Sequence, residues 1–380
     1  MTRKLIIYLF ITALCLFAAC RNDVNQETNG SNEIIHPTAA NFIPEDSVTS
    51  IIDDTHPGEL PDFDDELEKI EIGVAQGDAN YMFGRIGAIS MVSDSEMVIM
   101  DEQADKLRLF NMVTGEYMMS FSSAGRGPGE VMHASDMTST ERTVFLSDRM
   151  QKVEIFKNVG LENSSTETLP LDINPHQMCQ LNGVLYISGV DHENLKTVHM
   201  YDITELEHKT SFHDVYQSDS YLARTLLSNN RIVCNEESNI VVLINPNLPY
   251  IYGYSARGEI KWISKLKNFN VIDITETRSD GGRPSLNRSI RPNGVSDIYS
   301  NAIAMESTEF VILQMNRLNR EGGETVDGKI LTFLINSKTG QGRLISEELP
   351  FIRAANKDRL ISVTNDPFPK ITITSNYIKK

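Results

Sequence analysis

The sequence lacks any apolar run long enough to cross a bilayer as a helix. Its longest, residues 5–19, covers about 15 residues against the roughly 20 that a span requires. Cysteine is scarce: the 380 residues hold four, and with Cys15 and Cys20 at the N-terminus only Cys179 and Cys234 remain in the body. Two cysteines make neither a disulfide framework nor a metal spacing, and although export permits a bond, two buried free thiols are expected. Positive charge is also short, with 35 Lys and Arg against 52 Asp and Glu and a formal net charge of −17. That excludes broad nucleic-acid binding, which needs clustered cations. Catalytic spacing is missing too: there is no His-Glu-x-x-His, no Ser-His-Asp grouping and no paired histidines. His133, His176, His192, His199, His208 and His213 are scattered, and each reads as a surface or strand residue. No catalytic residue, metal or cofactor is assigned on this basis.

The N-terminus, in contrast, is rich in signal. Arg3 and Lys4 precede the apolar run, which ends in small residues, the layout of a secretory leader over residues 1–19. Its end, Leu16-Phe17-Ala18-Ala19-Cys20, resembles a bacterial lipobox, where cleavage precedes a cysteine carrying diacylglyceryl on its sulfur. Phe17 stands where Leu is usual, and Cys15 fits less well because the large Leu14 precedes it. The resemblance implies lipidation of Cys20 and firm anchoring by several acyl chains. Arg21 follows in place of a retention-type Asp, which points to the outer membrane and leaves the leaflet open.

Residues 20–65 read as a flexible tether, with no apolar periodicity and much Asn, Pro, Ser, Asp and Glu. Residues 44–68 alone carry ten acidic groups and no Lys or Arg, over half of the net charge. Like charges favour extension. Fully extended, such a segment reaches on the order of 150 Å. Within it, Asp46-Ser47-Val48 resembles a bacterial O-glycosylation acceptor.

From residue 66 onward short β-rich runs recur, divided by Gly, Asn, Asp and Ser turns. Val98-Ile99-Met100-Asp101 leads to Lys106-Leu107-Arg108-Leu109-Phe110, and Val144-Phe145-Leu146-Ser147-Asp148 leads to Lys152-Val153-Glu154-Ile155-Phe156. Looser copies follow, with Tyr201, Tyr250 to Tyr254, Phe333 and Ile373 in the second strand of each pair. A period near 45 residues with about four strands per unit predicts propeller blades. Six are expected, near 86–130, 131–174, 175–219, 220–272, 296–350 and 351–380. The last is one strand short, and residues 67–72 are the natural donor to close the ring and remove its free edges. The fold class is therefore all-β, a six-bladed propeller over 66–380.

With Gly125-Arg126-Gly127-Pro128-Gly129-Glu130 after the first unit, this repeat resembles the six-bladed propeller lipoproteins of Gram-negative bacteria, akin in fold to NHL-repeat and TolB-like propellers. The resemblance implies the fold and export, and no settled activity.

The glycine run lacks a Gly-Lys-Ser/Thr ending and reads as a tight inter-blade connection that exposes Arg126 at its tip. Asp101 and Asp148 end equivalent strands and are expected to accept backbone N–H groups in their own turns. The least routine stretch is 275–297, a long connection holding Arg278, Arg283, Arg288 and Arg291, a basic island on an acidic protein. Arginine forks suit carboxylates, sulfates and phosphates. These five arginines are the candidate ligand-binding residues. The expected function is a noncatalytic envelope binding module that recognises a protein, peptide or glycan, anionic in character, through propeller loops. The alternatives are a propeller enzyme of lactonase, lyase or hydrolase type with a metal in the central funnel, and a structural or sensory component of the envelope.

Overall fold

A computed structural model describes residues 33–35, 47–54, 68–278, 284–289 and 294–375. Cys20, Leu67, Arg283 and Arg291 lie outside the described residues. Five antiparallel four-stranded sheets follow one another along the chain, with innermost strands Ile86–Ser93, Ala134–Thr140, Gln177–Leu181, Arg231–Asn235 and Gly294–Glu306. A sixth sheet takes Phe351–Asn356, Arg359–Thr364 and Lys370–Ser375 from the C-terminus and its outermost strand, Lys69–Ile72, from the other end of the chain. Lys69 pairs with Thr374 and Ile72 with Ile371, so the two ends together seal the ring. Each innermost strand packs on the next, and that of blade 6 returns to that of blade 1.

Alternation within the strands explains why the ring holds. Six apolar clusters form, one in each gap between neighbouring blades, including the sealed gap between blades 6 and 1. The aromatic residues that end the third strands, Phe110, Phe156 and Tyr201, are buried in three of these gaps. Phe110 meets the edges of Tyr81 and Tyr117, each ring centre 5.6 Å away. The strand-end carboxylates are structural. Asp148 accepts Met150 N–H in its own turn and Met132 N–H from the preceding connection, each at 2.9 Å. Asp101 accepts Gly84 and Arg85 N–H from the incoming connection rather than from its own turn, and also pairs with Arg108.

Three expectations change. Cys179 and Cys234 are not free thiols but a disulfide, with Cα atoms 5.4 Å apart. They occupy the innermost strands of blades 3 and 4, and convergence of those strands at the axis supplies a proximity that spacing along the chain conceals. The acidic tether is not wholly structureless. Ser50–Ile52 runs parallel to Ile260–Leu266 on the outer edge of blade 4, and Glu33–Ile35 pairs with Asp273–Arg278. In the Val48-Thr49-Ser50-Ile51-Ile52 run, Ile51 is exposed while Ile52 is fully buried between blades 4 and 5. Burial of that side chain contributes about 1.5–3 kcal/mol, which offsets part of the ordering cost. Lastly, the stretch 275–297 is not a loop. Asp273–Arg278 and Pro284–Ser289 form a hairpin, and Gly294 already begins blade 5. Ile274 is buried, and Leu286 packs on the same cluster between blades 3 and 4, giving the hairpin an inward face.

Candidate functional site

Strand direction alternates within a blade, so connections divide between two ends of the molecule. All innermost strands start at one end, the upper, and finish at the lower. At the lower end the turns from first to second strand hold only two to four residues. The upper end receives everything larger. It carries the Gly125 to Glu130 loop, the helix Tyr221–Ser228, the 273–289 hairpin, and an arm built from the extended strands Phe310–Glu321 and Glu324–Asn336 of blade 5.

The glycine-rich loop is folded as a connection. Glu130 accepts Gly127 N–H at 2.8 Å, and Gly129 N–H is accepted by the buried Glu154, which also pairs with Lys152 at 2.7 Å. Gly129 adopts φ +76°, and a Cβ on Gly125 would strike the Glu130 carboxylate. Arg126 is exposed at the tip. The arm is clamped to residues 47–54, an N-terminal strap laid along blade 4. Arg317 bonds both Asp54 and Asp297 at 2.7 Å, and both carboxylates are almost fully buried. Burial opposes the charge of Arg317, but the two carboxylates outweigh it and raise its pKa.

Down the axis runs a funnel of about 780 Å³ lined by all six innermost strands, a volume in the usual range for small-molecule sites. Polar or covalent ties join strand to strand around it. Ser90 and Ser139 share a hydrogen bond of 2.6 Å, Met178 N–H donates to Asp136 at 2.8 Å, and the disulfide links blades 3 and 4. Asn235 donates to Thr308 O at 2.8 Å, Asn301 to Ile352 O, and Asn356 to the Met91 sulfur at 3.6 Å.

The two mouths differ in charge. Asp94, Glu141, Glu236, Glu237 and Glu306 line the lower one. Glu306 is open to solvent by surface area yet crowded by the concave mouth. Burial there, with Glu236 and Asp94 adding repulsion, pushes its pKa up to about 7. The upper mouth holds Arg149, Arg231 and Arg353 with Glu102 and Asp136. Asp136, Arg231 and Arg353 come from blades 2, 4 and 6, so they face one another across the axis, close enough for their charges to interact. Burial raises Asp136 to about 7, against two backbone N–H groups and the two arginines that favour its charged form. Burial, together with Arg353, lowers Arg231 to about 10. Arg231 Nε donates to Tyr299 O at 3.3 Å. Arg353 Nε is buried and has no acceptor among the described residues. A buried charged donor left unmatched costs more than an ordinary lost hydrogen bond, roughly 1–3 kcal/mol or above.

The sequence-predicted arginines are not gathered in this way. Arg126 lies outside the funnel lining. Arg278 and Arg288 sit on opposite strands of the hairpin, opposite Pro284 and Ile274, and Arg283 and Arg291 fall outside the described residues. Sequence reading missed Asp136, Arg231 and Arg353. The available signal was a charged residue at or near the start of an innermost strand, where a packed repeat otherwise calls for small or apolar side chains. Among the described residues no group of three or more His, Cys, Asp or Glu gathers as a metal site.

A sequence profile described as a 6-bladed β-propeller, DUF5128, matches residues 75–299, more than half of the chain. The chain belongs to the DUF5128 family. Among solved structures, this DUF5128 chain is similar to a Bacteroides fragilis protein described as exported. Their identity is 13%, the TM-score is 0.57, and the match covers 87% of this chain and 100% of that one. A member of the DUF4221 family from Bacteroides vulgatus is 8% identical, with a TM-score of 0.55 and coverage of 81% and 96%. At such identities the likeness shows the propeller fold alone. No match was found among curated proteins.

Proposed function

We propose that this DUF5128 propeller is an exported lipoprotein of the cell envelope, anchored in the outer membrane through Cys20, and that it acts as a noncatalytic binding module. The observation that carries the reading is the asymmetry of its ends. Every large insertion rises on the face where the arginine mouth of the funnel opens, while the opposite face is trimmed to short turns. Binding surfaces are built from variable connections on a rigid frame. The leader-like N-terminus, the lipobox resemblance and the exported neighbour support the address. The propeller enzyme is the second reading. It is favoured by one feature, a carboxyl group near neutrality beside two arginines, the pattern of a poised acid or base.

Two measurements test the proposal. Cells making Cys20→Ala are expected to release the protein from membranes and to lose lipid labelling. Membrane-bound, lipid-labelled mutant protein would refute the anchor. A photoreactive residue replacing Arg126, at the upper end, is expected to give a discrete adduct in intact envelopes. The same group replacing Glu162, in a lower turn, should not, and adducts from Glu162 alone would overturn the assignment of the binding face.

A further inference from the structure

We infer that the upper end of the funnel is a receptor for the carboxylate of a small organic acid, gripped by Arg231 from blade 4 and Arg353 from blade 6. The inference deepens the binding-module reading and rests on it, since it names the chemistry recognised at the proposed binding face.

Four observations converge. The guanidinium groups enter one cavity from alternating blades, and the Nε of Arg353 is buried without an acceptor in the described chain. Buried charged donors are normally matched, and a planar carboxylate fits a guanidinium fork in two-point fashion. Charge then limits the ligand. Arg149, Arg231 and Arg353 stand against Asp136 and Glu102 at this end, and Glu102 is already paired with Arg85, so two positive charges remain when Asp136 is ionised and three when it is protonated. A monoanionic carboxylate meets that surplus with less repulsion from the ionised Asp136 than a dianionic phosphate would. Finally, the funnel of about 780 Å³ that continues below the arginines leaves room for the carbon skeleton of a small acid.

Asp136 gives the site a proton dependence. Its carboxyl faces Arg231 and Arg353, with His176, Gln177, Arg149 and Glu102 lining the same end. An anion placed beside it favours the protonated form, so binding takes up a proton and strengthens as pH falls through neutrality.

The test uses the folded mature protein and defined probes: acetate as the bare carboxylate, benzoate as a carboxylate with an apolar body, benzyl alcohol as its neutral counterpart, and inorganic phosphate. Binding is read by titration calorimetry and by thermal shift against chloride at equal ionic strength. Acetate and benzoate are expected to bind and raise the melting temperature, and benzyl alcohol is expected to do neither. Arg353→Gln should weaken benzoate by about tenfold or more, and Arg231→Lys, which keeps charge and loses the fork, should weaken it several-fold. Benzoate should bind more tightly at about pH 6 than at about pH 8, and Asp136→Asn should flatten that difference.

Should a variant fail to fold, ¹⁵N signals of the Arg Nε–H groups in the unaltered protein replace it. A benzoate-dependent shift of the Arg353 signal supports the site, and an unmoved signal rejects it. Equal probe binding by Arg353→Gln, or phosphate binding better than benzoate at about pH 8, would overturn the carboxylate assignment. Either result with the Arg126 photo-adduct intact sinks this inference alone. Loss of the adduct sinks the broader reading.

Discussion

The two ends of this propeller share the same six blades and little else. At the lower end the chain reversals among the described residues hold two to seven residues, with no helix, hairpin or arm, and the charged residues lining the mouth are acidic. The upper end carries a helix, a hairpin and a long arm, and its mouth holds Arg353, whose buried Nε has no acceptor among the described residues. On the proposed reading, the contrast puts the ring's stability and its binding capacity in separable places. Inter-blade clusters hold the ring whichever residues stand at the upper mouth. A substitution in those clusters should therefore lower stability without touching recognition, and one at the arginine mouth should do the reverse.

The largest effects are expected where the ring itself is cut. Phe110 is fully buried at the lower end of the third strand of blade 1, in the cluster that joins blades 6 and 1. Phe110→Ala should cost about 3–5 kcal/mol in urea unfolding while leaving benzoate affinity of the folded fraction unchanged. A parallel loss of affinity would break the separation of ends. Next is the clamp on the upper arm. Arg317→Ala leaves Asp54 and Asp297, both nearly inaccessible, without their shared cation. The expected cost is about 3 kcal/mol, held to the low end of the range for broken buried pairs because Arg317 keeps partial exposure. Arg317→Ala should also detach the N-terminal strap, read as faster proteolysis near residues 47–54. Proteolysis that is no faster would show that the Ser50–Ile52 pairing and the burial of Ile52 hold the strap without Arg317.

Much of this architecture was legible in the sequence, for a physical reason. Each blade must present the same buried faces to its neighbours, so the Asp-turn-strand-aromatic pattern repeats, and Phe110, Phe156 and Tyr201 recur at nearly constant spacing. The missing strand of the last blade was visible as an arithmetic deficit, which Lys69–Ile72 fills. What repetition cannot show is which residues of different blades meet at the axis. Arg231 and Arg353 lie far apart along the chain and follow no motif, so their convergence exists only once the ring is closed. The disulfide was hidden in the same way. The strap was masked by its acidic neighbours, although the alternation around Ile52 is a strand's.

The disulfide sharpens the comparison, since it ties the walls of the funnel midway between the ends. Its sequence separation of 55 residues implies that replacing both Cys179 and Cys234 by Ala lowers stability by about 2–4 kcal/mol, mainly by freeing the unfolded chain. If it only closes the ring, carboxylate binding survives in the folded protein. Weakened binding without a change in melting temperature would instead place it in the positioning of Arg231, three residues before Cys234.

The smallest expected effect discriminates most finely, because each mouth holds one carboxyl group shifted to about 7, Asp136 above and Glu306 below. In both, burial raises the folded-state pKa above the ordinary values of 3.8 and 4.5. The unfolded chain therefore ionises first. Each group withdraws stability as pH rises from its ordinary value towards about 7, and its contribution is level beyond that. Melting temperature is expected to fall across this window, and Asp136→Asn should flatten the fall more than Glu306→Gln, because Glu306 remains open to water and its shift is screened. Only Asp136→Asn should also flatten the pH dependence of benzoate binding, since only that carboxyl faces the arginines. If Glu306→Gln altered it equally, the two mouths would behave as one electrostatic unit, and the division between a holding end and a binding end would not stand.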